Sequence, residues 1–179
     1  MAIEIEKKYR LTQVQFAKIK ETLEDLEAEY IGEDFEENLI YGGGILQEIN
    51  AVLRIRKTGS KKILTFKKRM VGSSGIKEQI EHETEVENDS EMRKIIGYLG
   101  FELRLVYEKR RKKWKLKNTE VVLDELPFGL FMEIEGSAEE IREAELILEA
   151  EDFQTEHKTY PNLTAESGKK NGEVIEARF

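Results

Sequence analysis

The chain has 179 residues, with 37 acidic and 29 basic side chains, a formal net charge of −8, two histidines and no cysteine. That balance argues against a general nucleic-acid coat, whose overall charge is usually basic. It also excludes disulfides, thiolate metal centres and cysteine nucleophiles, and His82 and His157 alone cannot build a histidine-rich zinc site.

Residues 2–11 alternate, with Ile3, Ile5 and Tyr9 on one face and Glu4, Glu6 and Lys8 on the other, which predicts a strand. Thr12 is placed to cap a helix reaching about residue 29, with Phe16, Ile19, Leu23 and Leu26 at three- and four-residue spacing. A short strand over 39–41 is ended by Gly42, Gly43 and Gly44; strands follow over 52–57 and 61–70, joined by a turn through Gly59. Residues 71–75 read as a small-residue loop, 77–87 as a strand, and 90–99 as a short helix stopped by Gly100. Strands are expected over 101–117, 120–126 and 130–136. Ser137 then opens a helix whose apolar face is Ile141, Ala144, Ile147 and Leu148. The pattern weakens from Glu151, and residues 164–179 read as a polar tail of uncertain order after a single domain over 1–163. Turn-connected strands with inserted helices predict an α+β fold built on an antiparallel sheet or barrel of about eight strands. No apolar run approaches the roughly 20 residues of a membrane span, and the charged opening segment is unlike a secretory signal, so the cytoplasm is the expected location.

The chemistry lies in the sidedness of these strands. Arg54 and Arg56 share a face, as do Thr65, Lys67 and Arg69. Glu81, Glu83, Glu85 and Glu87 form an acidic comb, Tyr107, Lys109, Arg111 and Lys113 a basic one, and Glu133 and Glu135 align with Phe131. Taken strand by strand, such faces are solvated surface over an apolar core. Taken together, same-sign combs would repel unless the signs alternate between neighbouring strands. A closed sheet offers another arrangement, in which charged faces line a polar lumen and helices cover the apolar outside. Carboxylate pairs without His or Cys suit hard cations, Mg²⁺ or Mn²⁺, and convergent Arg and Lys suit phosphate oxygens. Arg110 and Lys112 alternate with the basic comb and should face outward, and His82 points away from the acidic one. Gly42, Gly43 and Gly44 are not a phosphate loop, because no Lys-Ser or Lys-Thr follows at the required distance.

Glu4-Ile5-Glu6-Lys7-Lys8 has the form ExExK, and an ordered series follows it: Leu53-Arg54-Ile55-Arg56, Leu64-Thr65-Phe66-Lys67, Glu83-Thr84-Glu85, Lys109-Arg110-Arg111, Val122-Leu123-Asp124 and Gly129 to Glu135. On these motifs about residues 2–160 resemble the CYTH superfamily, the triphosphate tunnel metalloenzymes. The resemblance implies a closed antiparallel barrel of about eight strands around a hydrophilic tunnel, with helices packed outside. It implies that Glu4, Glu6, Glu133, Glu135 and Asp124 are carboxylates for Mg²⁺ or Mn²⁺, and that Lys8, Arg54, Arg56, Lys67, Lys109 and Arg111 cradle a triphosphate. Glu83 and Glu85 match an acidic pair in the tunnel wall that assists metal binding or positions the basic residues. Lys158-Thr159-Tyr160 resembles a Ser-Tyr-containing stretch near the end of some members, with no role attached. The expected activity is metal-dependent hydrolysis of a triphosphate such as tripolyphosphate, thiamine triphosphate or ATP, with cyclisation of ATP to cyclic AMP and pyrophosphate as the alternative. A non-catalytic polyphosphate- or RNA-binding module is the rival from another class, supported by the basic run over 110–117 and opposed by the net negative charge. Neither a membrane nor nucleic acid is an expected partner, and a homodimer would be in keeping with the family.

Overall fold

A computed structural model describes residues 2–69 and 77–179, with side chains for 5–68 and 80–179; the expected loop over 71–75 therefore lies outside the described residues. The opening strand β1 (Ala2–Leu11) leads into α1 (Gln13–Asp25). A reciprocal cap fixes the start of α1: the Gln15 N–H donates to Thr12 Oγ1, and the Thr12 N–H donates to Gln15 Oε1. Next come β2 (Glu29–Gly42), the one-turn α2 (Ile45–Glu48), β3 (Ala51–Lys57), β4 (Lys62–Arg69), β5 (Lys77–Glu85) and α3 (Asp89–Tyr98). The long β6 (Glu102–Leu116) precedes β7 (Thr119–Leu126), β8 (Gly129–Glu135) and α4 (Ala138–Ile147), whose start carries a second reciprocal cap between Ser137 and Glu140. The chain closes with α5 (Tyr160–Ser167), β9 (Lys169–Asn171) and β10 (Val174–Ala177).

The strands form one largely antiparallel sheet in the order β2-β3-β4-β5-β1-β8-β7-β6-β10-β9, and β2 pairs with β6 as well. That extra pairing runs from Glu29↔Lys115 to Gly42↔Glu102, so each of β1 to β8 has a hydrogen-bonded neighbour on both sides. Together with the helices this makes an α+β fold.

Two parts differ from expectation. The strand expected over 39–41 is 14 residues long. Residues 29–38 escaped the reading: the register against β6 slips between Tyr30 and Gly32, where Gly32 takes a φ of +146° open to residues without a side chain, and beyond the slip the acidic run Glu33, Asp34, Glu36 and Glu37 masks the period of two. The residues after 163 are also built into the fold: β10 runs parallel to β6, pairing Ile175 with Leu105 and Ala177 with Tyr107. Gly168 allows this, since a Cβ there would lie 2.7 Å from both the Thr164 carbonyl oxygen and Ile175 Cγ2.

Apolar residues collect in three clusters. Tyr9, Leu123, Met132 and Ile134 from the outer faces of β1, β7 and β8 pack on Ile19 and Leu23 of α1 and Ile141 of α4. Leu39, Ile55 and Val106 pack beneath Ile96 of α3. Ile40, Tyr107, Leu126 and Phe131 meet Tyr160 and Leu163 of α5. Burying each such side chain is worth roughly 1.5–3 kcal/mol, which is what holds the helices against the sheet. Among the described residues no helix is long and apolar enough to cross a membrane.

Candidate functional site

The other faces of the same strands line a cavity of about 450 Å³. Seven cations reach it (Lys8, Arg54, Arg56, Lys67, Lys109, Arg111 and Lys113) together with six carboxylates (Glu6, Glu81, Glu83, Glu120, Glu133 and Glu135). Strand alternation accounts for the selection: Val52, Arg54 and Arg56 of β3 face the cavity while Leu53 and Ile55 face α3.

The charges are arranged as a continuous chain of alternating sign. Lys8 Nζ lies 3.1 Å from Glu133, whose other oxygen meets Arg111, and Arg111 in turn grips both oxygens of Asp124. Lys109 Nζ lies 3.6 Å from Asp124 and 3.3 Å from Glu36, which reaches Arg56 at 4.0 Å. Glu83 Oε1 takes Arg56 at 3.2 Å, Arg54 at 3.3 Å and the Thr65 hydroxyl at 2.8 Å. Arg54 continues to Glu81 at 3.5 Å, and Glu81 to Lys67. All six basic residues singled out in the sequence therefore line one cavity and belong to one ion-pair chain.

The carboxylates divide. Glu133 and Glu83 are members of the chain. Glu6 and Glu135 line the cavity as direct cross-strand partners, and Glu135 also faces Glu120 of β7. Asp124 does not line the cavity; it is fully buried behind it, where it accepts from Arg111 and, at 2.7 Å, from the Tyr160 hydroxyl. Glu85 does not line it either: at the end of β5 its side chain is 63 % exposed, 3.8 Å from Lys61. The side chain of Glu4 lies outside the described residues.

One participant escaped the sequence reading and another was given no role in it. Glu36, on the unrecognised part of β2, is buried between Lys109 and Arg56; the alternation of Glu36, Asn38 and Ile40 would have exposed it once that strand was known. Tyr160 lines the cavity from α5, a helix that the fading pattern after residue 151 concealed.

Burial acts on all these groups, and the neighbours decide its outcome. It opposes ionisation of Glu36, yet Lys109, Arg111, Arg56 and Arg54 together bring that carboxyl down to about 2. Burial and the adjacent Arg111 pull Lys109 down to about 8, only partly offset by Asp124 and Glu36. Burial also pulls on Lys8, but Glu133 and Glu6 outweigh it and its pKa is raised. Tyr160 is pushed well above the phenol range by burial and by Asp124 and Glu133, so it remains a hydrogen-bond donor.

Among the described residues, no three Asp, Glu or His side chains converge as a ready metal site. The donors whose chemistry fits a hard cation are Glu6 and Glu135. Directly opposed like charges on neighbouring strands repel, and an oxygen-seeking cation would relieve them.

Fold and site together define an α+β protein with a charged cavity walled by a largely antiparallel sheet. Residues 2–166 match the CYTH domain model, and the chain belongs to the CYTH family. Over 152 residues it is 32% identical to a Methanocaldococcus jannaschii protein named as a candidate adenylate cyclase, covering 82% of this chain and 84% of that one. Among solved structures, the PH1012 protein of Pyrococcus horikoshii is similar with a TM-score of 0.78 at 28% identity, over 89% of this chain and 98% of its own. A Hippeastrum protein, named as a candidate adenylyl cyclase and described as revealing a dominant triphosphatase activity, shares the fold at 20% identity with a TM-score of 0.68, over 95% of this chain and 98% of its own.

Proposed function

We propose that β1 to β8 enclose a tunnel in which a triphosphate is bound and hydrolysed with the help of Mg²⁺ or Mn²⁺. The observation that carries this reading is the ion-pair chain. Six cations from β1, β3, β4 and β6 converge on one cavity, and on two of them, Arg54 and Arg56, the buried Nε has no hydrogen-bond acceptor. A buried donor without an acceptor is costly, and phosphate oxygens are acceptors only.

Seven cations against six carboxylates leave the lining with an excess of one positive charge. A triphosphate brings roughly four negative charges, so a divalent cation fits the charge balance. Glu6 and Glu135, with Glu4 by the family resemblance, would hold it, and when bound it would offset charge on the phosphate oxygens. Arg54, Arg56 and Lys67 would grip one part of the phosphate chain, and Lys8, Lys109 and Arg111 another. Glu36 and Asp124 stand behind these cations and not in the cavity, so they brace the cradle without facing the ligand. A cradle fixed in advance favours the charge that spreads over the transferring phosphoryl group more than it favours the bound ground state. In hydrolysis the water oxygen bonds to the terminal phosphorus and its bond to the bridging oxygen breaks.

Cyclisation is the second reading, favoured by the name of the Methanocaldococcus relative. There the ribose 3′-hydroxyl of ATP attacks the α-phosphorus and pyrophosphate leaves. The deciding experiment offers tripolyphosphate, thiamine triphosphate and ATP with Mg²⁺ or Mn²⁺, with a chelator control, and separates phosphate from pyrophosphate plus cyclic AMP. Metal-dependent phosphate release is the expected result. Cyclic AMP would establish the second reading, and binding without turnover would replace both with a polyphosphate-binding module.

A further inference from the structure

Tyr160 touches three parts of the cradle at once. Its ring centre lies 3.6 Å from Lys8 Nζ and 5.3 Å from Lys109 Nζ. Its hydroxyl donates at 2.7 Å to Asp124 Oδ2, an oxygen that Arg111 also grips. The ring is 5 % exposed and wedged between Phe131 and Tyr107, at centroid distances of 5.3 and 6.1 Å. Thr159 caps the helix that begins at Tyr160, with its hydroxyl oxygen accepting from the Asn162 N–H. Just upstream, the Glu156 N–H donates at 2.8 Å to the carbonyl of Lys8, tying this segment to the strand that carries the lysine.

We infer that Tyr160 is a positioning residue for the phosphate cradle, its ring holding Lys8 and Lys109 and its hydroxyl holding Arg111 through Asp124. This rests on the triphosphate reading given above and adds a mechanism to it. A carboxylate that braces an ammonium also repels the incoming phosphate. An aromatic face attracts the ammonium through its quadrupole and contributes no net charge. With Glu133 beside Lys8 and Glu6 also acting on it, a further carboxylate would weaken the ligand's hold, whereas the Tyr160 ring fixes the ammonium and leaves it available to phosphate oxygens. Arg111 depends on Tyr160 less, because Asp124 and Glu133 hold it directly.

Tripolyphosphate is the probe, with its affinity measured by calorimetry in the presence of Mn²⁺ and its turnover measured in parallel. Tyr160→Leu should weaken binding and raise KM at least about tenfold, since it removes ring and hydroxyl together. Tyr160→Phe keeps the ring, so its affinity should stay within about threefold of the wild-type value while kcat falls. Leu163→Ala is the control for a purely structural role: Leu163 packs α5 in the same cluster, and its truncation should lower the melting temperature without changing affinity. Equal affinity of Tyr160→Leu and wild-type protein would overturn the inference, as would an equal loss in Leu163→Ala or a loss in Tyr160→Phe as large as in Tyr160→Leu. Failure of the wild-type protein itself to bind tripolyphosphate would instead overturn the triphosphate reading beneath it.

Discussion

Asp124 and Leu123 are neighbours on β7, and both are completely buried. The same is nearly true of Glu133 and Ile134 on β8, and of Lys8 and Tyr9 on β1. One member of each pair joins the apolar layer beneath α1 and α4, and the other the charged network around the cavity. Depth alone does not distinguish them; what burial costs does. The outer face gains free energy with each apolar side chain removed from water. The inner face must repay the desolvation of every charge with a partner, and networks of this kind are often no more stable than an apolar replacement. Six members of the linked chain, Lys8, Glu36, Arg54, Lys109, Asp124 and Glu133, are nonetheless kept buried, at a cost that stability alone does not explain.

Substitutions at neighbouring positions can break that contrast. Asp124→Ala should have the largest effect, about 3–5 kcal/mol of lost stability, because Arg111 and Lys109 would keep their charge and lose the partner between them. Urea denaturation measures it, and a midpoint close to wild type would mean that the network does not act as a unit. Leu123→Ala, one residue away on the outer face, should cost about 3 kcal/mol through the cavity it leaves, while kcat/KM per folded molecule stays unchanged. Acid should act selectively on the inner face. The Glu36 carboxyl titrates near 2 in the folded protein against 4.5 ordinarily, so the stability it confers is complete above about pH 4.5 and disappears as the pH falls through 2. That amounts to about 3 kcal/mol, and Glu36→Gln should flatten this portion of a pH–stability curve. Arg56→Ala should leave the fold intact but lower kcat/KM by about a hundredfold, through lost stabilisation of the transition state. The smallest change is expected for Glu6→Gln. Its metal-free stability should shift by less than about 0.5 kcal/mol, and the rise in melting temperature that Mn²⁺ gives the wild type should shrink. An equal rise in both proteins would remove Glu6 from the metal site.

The two faces were also unequally legible. Alternation in β1, β3, β4 and β6 marked all six basic residues that line the cavity, because a period of two survives wherever the strand is regular. The helix starts at Thr12 and Ser137 were readable because capping chemistry is local. The hidden parts depend on distant partners. The first part of β2 follows β6 across a register slip, and β10 is a strand because Leu105 to Tyr107 receive it on one side and β9 on the other. Asp124 shows the limit within the site itself. Alternation with Val122, which lines the cavity, puts it on the inner face, but parity carries no depth, and only its contacts with Arg111 and Tyr160 set it behind the cavity-lining cations.

The segment that delivers Tyr160 is fastened at both ends. On one side the Arg10 N–H donates to the Gln154 carbonyl and the Glu156 N–H to that of Lys8. On the other, β10 lies along β6, and beyond it Arg178 bonds to Glu37 and Glu108, each at 2.8 Å. Loop-closure entropy for this stretch is therefore lost during folding and not when a ligand arrives. Ligand affinity need not cover the ordering of α5, as it would for a mobile flap that closes over its substrate. The same fastening links the far end of the chain to the site: the residues of β10 and Arg178 lie outside the cavity, yet they anchor the segment whose helix reaches it.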